Sequence, residues 1–221
     1  MTKQEIRQQI ASIGIVPVIR ASTAEKAFLA VDALRKGGIS MVEVTLTVPG
    51  GERVIEALRK QFDSALMVGA GTVLNPESAR RCIEAGAQFI VSPGLNTATV
   101  ALVNSQKTLM IAGALTPTEI MAAWESGSDM IKIFPCNAVG GAGYIKSLKG
   151  PFPQIPFIPT GGVNLQTAAD FLRAGCEALG IGSELVPASA LESGKPEVIT
   201  SLVRQFTQIV EEVRSPQAAA L

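Results

Sequence analysis

Along the chain, short runs of β-favouring residues alternate with longer runs whose apolar positions recur every three or four residues. The first unit predicts a strand over 15–20, Ser22 and Thr23 as helix caps, and a helical face of Ala27, Leu29, Ala30, Val31 and Leu34 ending at Gly37-Gly38. The same order then recurs at the length of a strand, a helix and two short loops. Further strands are predicted over 42–47, 66–72, 89–92, 109–112, 130–134, 157–160 and 179–182, each followed by a helix-like run. Asn75-Pro76, Thr116-Pro117 and Asn164 read as helix starts; Gly86, Gly127 and Gly175 read as helix ends. Ile6, Ile10 and Ile13 fall at helical spacing ahead of the first strand, an extra N-terminal helix placed to plug the bottom of a barrel. Eight strands alternating with helices is the count of a (β/α)8 TIM barrel, class α/β. A doubly wound open sheet also alternates, but it gives no reason to stop at eight. We therefore expect one barrel domain over 1–214, closed by an amphipathic helix over 195–214. Residues 215–221, small and with nothing to pack, read as a flexible tail.

Composition narrows the function more than the fold. The chain has 221 residues, 47% hydrophobic and 17% charged, which suits one well-cored domain. Lysine plus arginine equals aspartate plus glutamate at 19 each, with no basic cluster, so a nucleic-acid partner has no electrostatic footprint. The first twelve residues are polar and helix-patterned, and no apolar run reaches the length of a membrane span, so the chain reads as cytoplasmic with no membrane partner. Cys82, Cys136 and Cys176 are odd in number and lack metal-type spacing, which argues against a disulfide framework. There is no histidine. That removes serine-histidine triads, imidazole bases and histidine-ligated metal sites, and leaves proton transfer to carboxylate, lysine, cysteine, tyrosine or water.

One lysine then demands an explanation. Lys132 lies in the middle of Met130-Ile131-Lys132-Ile133-Phe134, a run bounded by Pro135. Strand alternation puts Met130, Lys132 and Phe134 on one face and the two isoleucines on the other. If the isoleucines face the helices, Lys132 points into the barrel, where burial disfavours the charged form and an uncharged amine attacks carbonyl carbon. The plainer reading is an edge-strand lysine that blunts aggregation. Glu43 shares parity with Thr45 and Thr47 and so also points inward, near the start of its strand. A lone buried carboxylate costs several kcal/mol, which makes Lys132 its natural partner. Such a pair is either chemistry or an ion pair kept for packing specificity.

Polar residues gather at the carboxyl ends of the predicted strands, where barrels of this kind build their sites: Arg20, Thr45, Thr47, Thr72, Ser92-Pro93, Thr160 and Ser183. Two glycine-rich turns, Thr160-Gly161-Gly162 and Gly180-Ile181-Gly182-Ser183, follow strands seven and eight, where main-chain amides can approach an anion. Neither turn contains lysine or arginine. An anion there would rely on backbone amides and the Ser183 hydroxyl, and a side chain on Gly162 is expected to take the place of a phosphate oxygen. The loop Asn137 to Gly143 either closes over a substrate or simply turns the chain. Cys136 reads as a filler as readily as a participant.

Together Val42-Glu43-Val44-Thr45-Leu46-Thr47, Gly69-Ala70-Gly71-Thr72-Val73, Ser92-Pro93-Gly94, Ile131-Lys132-Ile133-Phe134-Pro135, Pro159-Thr160-Gly161-Gly162-Val163 and Gly182-Ser183 resemble the class I, Schiff-base family of 2-keto-3-deoxy-6-phosphogluconate (KDPG) and 4-hydroxy-2-oxoglutarate aldolases. The resemblance runs from about Ile15 to Val213. It implies Lys132 as the Schiff-base lysine and Glu43 as the proton shuttle. It also implies Thr72, Pro93, Phe134 and Thr160 around the substrate, and Gly161, Gly162, Gly182 and Ser183 on the phosphate. Some members carry an arginine after the Glu-Val-Thr-Leu motif for the substrate carboxylate. This chain has Thr47 there, and resembles another branch in which the arginine ending strand one, here Arg20, takes that role. The family implies cleavage of a small 2-keto acid phosphosugar to pyruvate and an aldehyde, a place in the Entner-Doudoroff pathway, no cofactor or metal, and a homotrimer. The galactonate-series stereoisomer, unphosphorylated 4-hydroxy-2-oxoglutarate as main substrate, and a non-catalytic phosphosugar-binding barrel are the competing readings.

Overall fold

The computed structural model describes residues 1–215. Its strands are β1 (Ile15–Ile19), β2 (Met41–Thr45), β3 (Met67–Gly71), β4 (Phe89–Val91), β5 (Leu109–Ala114), β6 (Met130–Ile133), β7 (Phe157–Pro159) and β8 (Leu179–Ile181). All pair in parallel, in the order β7-β6-β5-β4-β3-β2-β1-β8. A parallel bridge between Thr160 and Gly180 joins the two outer strands. Gly180 has no Cβ because one would overlap the Thr160 hydroxyl. This closure decides against the open sheet. Pro17, which has no N–H to give, is tolerated in β1 because it is paired with Ile181 of β8 and the ladder with β2 begins only at Val18.

The helices are α1 (Lys3–Ile13), α2 (Ala24–Lys36), α3 (Gly51–Phe62), α4 (Pro76–Glu84), α5 (Thr97–Ser105), α6 (Pro117–Glu125), α7 (Ala142–Lys149), α8 (Ala168–Arg173), α9 (Ala188–Glu192) and α10 (Glu197–Arg214). Local chemistry explains most of their starts. Thr23 and Asn75 accept from the backbone N–H three residues on, Pro76 and Pro117 occupy the first helical position, and Thr116 with Glu119 forms a reciprocal capping box. Ser22 caps nothing and instead donates to Glu192. Asn164 starts a turn rather than the helix itself: its Oδ1 accepts from Gln166 and Thr167, and α8 begins at Ala168. Gly86, Gly127 and Gly175 end helices with φ of +97°, +96° and +92°.

Most strands stop one or two residues before their predicted carboxyl ends, because the polar residues there turn into loops. After β2, Val48 N–H closes a turn onto Thr45 O (3.0 Å), which takes Thr47 out of the strand. β5 instead runs two residues longer, with Gly113 and Ala114 paired to Lys132 and Ile133. The short α9 was not expected, and the final helix starts at Glu197 rather than 195. The flexible tail expected over 215–221 lies, beyond Ser215, outside the described residues.

α1 spans the amino-terminal end of the barrel. It packs against β1 and β5, strands on opposite sides of the ring. Ile6 and Ile10 are buried, and Lys3 is tied to Asp129 at the foot of β6 (2.8 Å) and to Asn104 (2.5 Å). At the other end of the chain, Ile199, Val203, Phe206 and Val210 bury one stripe of α10 against α2 and α8. Arg214 then fastens both termini, donating to Ala11 O (2.6 Å), Ser12 O (3.1 Å) and Glu177 O (2.8 Å).

Candidate active site

Lys132 and Glu43 meet inside the barrel. Lys132 sits third in β6 and Glu43 third in β2, with residue exposures of only 5% and 2%. Lys132 Nζ stands 3.8 Å from Glu43 Oε1, too long for a hydrogen bond and close enough for a strong field. Among the described residues, none donates a hydrogen bond to Glu43 Oε1. A carboxylate oxygen held at that depth without a donor is costly, and is available to a hydroxyl entering the lumen. Room for the carboxylate comes from β3: a Cβ on Gly71 would overlap Glu43 Oε1. The G-x-G of Gly69-Ala70-Gly71 was legible, but the reason for its second glycine was not.

Gly113, the β5 residue paired with Lys132, lacks a Cβ because the Pro93 carbonyl group would collide with one. Pro93 therefore folds in beside the lysine. The Ser92 hydroxyl holds the bend by donating to Gly94 O (2.7 Å). The Phe134 ring centroid lies 5.4 Å from Lys132 Nζ, forming the wall on the β6 side. On β2, Thr45 donates to Ile19 O (2.9 Å) and bonds the Thr47 hydroxyl (2.6 Å), which ties the ends of β1 and β2 together.

A recess of about 130 Å³ opens between the ends of β7, β8 and β1. It is lined by Phe134, Thr160, Gly161, Gly162, Gly182, Ser183 and Arg20, together with Val163, Gly180 and Glu184. The structure thus collects both predicted glycine turns into one hollow. It also brings in a cation that neither turn carries: Arg20 reaches across from β1, its guanidinium 3.1 Å from where a Gly182 Cβ would stand. Arg20 and the turns become neighbours only because the barrel closes. Two expectations change here. An anion in this recess need not rely on backbone amides and Ser183 alone. A side chain on Gly162 would be driven against Asn137 Cβ, 2.5 Å away, rather than toward a phosphate oxygen. Thr72 lies elsewhere, left-handed at φ +58° after β3, lining a different recess with Leu46, Thr47 and Leu74. Cys136 is buried two residues beyond Phe134 and its thiol is pushed up to about 11 by burial, so it stays protonated near neutral pH.

The model of the family described as "Aldolase: KDPG and KHG aldolase" matches residues 6–202. The chain belongs to this family. Among the relatives of the chain, the Escherichia coli (strain K12) KHG/KDPG aldolase is 39% identical over 194 residues, covering 88% of the chain and 91% of the relative. The Dickeya dadantii (strain 3937) 2-dehydro-3-deoxy-phosphogluconate aldolase is 37% identical over 199 residues, 90% and 93% of the two chains. Among solved structures, the KDPG aldolase of Legionella pneumophila, with pyruvate captured at low pH as a covalent carbinolamine intermediate, superimposes with a TM-score of 0.85. It is 32% identical, covering 90% of this chain and 97% of that one.

Proposed function

We propose that this protein is a class I aldolase, a carbon-carbon lyase, that cleaves 2-keto-3-deoxy-6-phosphogluconate to pyruvate and glyceraldehyde 3-phosphate, and 4-hydroxy-2-oxoglutarate to pyruvate and glyoxylate. The observation that carries it is the buried Lys132–Glu43 pair in a member of this family. Lys132, in its neutral form, adds to the keto carbon; loss of water leaves a protonated imine that accepts an electron pair. Glu43 takes the proton of the C4 hydroxyl as the C3–C4 bond breaks, which releases the aldehyde and leaves an enamine on Lys132. Glu43 returns its proton to C3, and water hydrolyses the imine to free pyruvate and the amine. The scheme calls for no cofactor. Pro93 and Phe134 bound the pyruvate half, with Thr72 as a further neighbour on the family resemblance; Thr160, Gly161, Gly162, Gly182 and Ser183 hold the phosphate. Arg20 lines that recess, which supports assigning it to the phosphate rather than the carboxylate. The family resemblance also supports a single-domain homotrimer in the cytoplasm, acting in the Entner-Doudoroff pathway.

Borohydride reduction in the presence of pyruvate, followed by peptide mass spectrometry, should place the adduct on Lys132. An adduct on Lys146 or Lys149 would overturn the assignment. In the cleavage assay, Arg20→Lys should raise KM for the phosphorylated substrate in particular, since the bidentate fork is lost. An equal rise for every 2-keto acid would return Arg20 to the carboxylate.

A further inference from the structure

The loop after β6 and the turn after β7 fit together as one piece. Cys136 N–H donates to Thr160 O (2.9 Å), which carries the β6–β7 pairing past the ends of both strands. The next residue, Asn137, belongs to a short 3₁₀ turn (Cys136–Val139) and lies over the glycine pair. A Cβ on Gly161 would stand 2.8 Å from Asn137 Oδ1, and one on Gly162 would stand 2.5 Å from Asn137 Cβ. Asn137 therefore fills the volume that two side chains would otherwise occupy. Gly161 and Gly162 also hold left-handed φ of +93° and +77°, so this turn excludes other residues on backbone grounds as well. Both glycines line the recess that holds Arg20 and Ser183.

We propose that Asn137 is a positioning and specificity-determining residue for the anionic end of the substrate, fixing the recess wall by packing on Gly161 and Gly162. The identity of that anion, a phosphate monoester, rests on the aldolase reading above. A carboxamide suits the place for two reasons. It is neutral, so behind the wall formed by Gly161 and Gly162 it adds no negative charge to a recess that Glu184 already lines, and its NH₂ can donate where a carboxylate could only accept. Aspartate has nearly the same shape and the opposite merit, which makes it the informative substitution.

The experiment compares wild type, Asn137→Asp and Asn137→Ala on 2-keto-3-deoxy-6-phosphogluconate and on 4-hydroxy-2-oxoglutarate. The ratio of kcat/KM for the phosphorylated over the unphosphorylated substrate should fall about tenfold in Asn137→Asp, mainly through KM, because a like charge would then lie just behind the Gly161-Gly162 wall of the recess. It should fall less in Asn137→Ala, which loosens the turn without adding charge. Raising ionic strength should recover part of the Asp loss and none of the Ala loss. A ratio equal to that of wild type in both variants, or a fall shared equally by both substrates, would overturn the proposal. Borohydride trapping with pyruvate on wild type is the separate control: failure to label Lys132 would count against the aldolase reading, whereas the substrate ratio tests Asn137.

Discussion

Gly71 has no side chain so that Glu43 can have one. The substitution Gly71→Ala adds a single carbon, yet that carbon would overlap Glu43 Oε1 and move the carboxylate off its line to Lys132. A positioned acid–base group contributes a factor of about 10² to 10⁴. We expect Gly71→Ala to lower kcat toward that range while pyruvate still forms its imine on Lys132, because the lysine lies on β6 and keeps its surroundings. Trapping efficiency and turnover, measured on one preparation, check this. If trapping falls in step with turnover, the added carbon has disturbed the lysine as well. Glu43→Gln, which keeps the shape and removes the base, should give a loss of similar size without moving any neighbour.

Among the elements, α10 depends on a glycine that has no backbone reason to be one. Gly37 sits at φ −78° at the end of α2, a conformation any residue adopts, but a Cβ there would stand 2.5 Å from Val203 Cβ. Gly37→Ala should destabilise the fold by about 1–3 kcal/mol through overpacking, despite alanine's better helix propensity. Adding Val203→Ala should make the pair of changes cost less than the sum of the two, read from urea midpoints. Most of the elements were legible, because capping residues and apolar spacing act within a few residues of each other. Element ends were less so. The pairing of Gly113 and Ala114 with β6 depends on neighbours distant in sequence, so β5 reads too short, whereas β2 reads too long because the turn that Val48 N–H closes onto Thr45 O leaves the alternating polar pattern unbroken.

At the scale of the molecule, the barrel and the inward parity of Lys132 and Glu43 followed from strand count and alternation. The company kept by Arg20 did not, because it exists only once β8 and β1 lie side by side. Asn137 escaped for the same reason: nothing in its own loop indicates the two glycines it covers. The plug at the other end was anticipated from three isoleucines, and its reach across the ring bears on traffic. With α1 stretched from β1 to β5 and Lys3 fastened to Asp129, the floor is shut and the lumen is a cul-de-sac. Whatever enters deepest must leave last. The aldehyde fragment, cut free nearer the mouth, has to depart before the three-carbon piece tethered to Lys132 can follow it. Steady-state kinetics should register this queue, with pyruvate competing directly against the intact substrate and the aldehyde inhibiting noncompetitively.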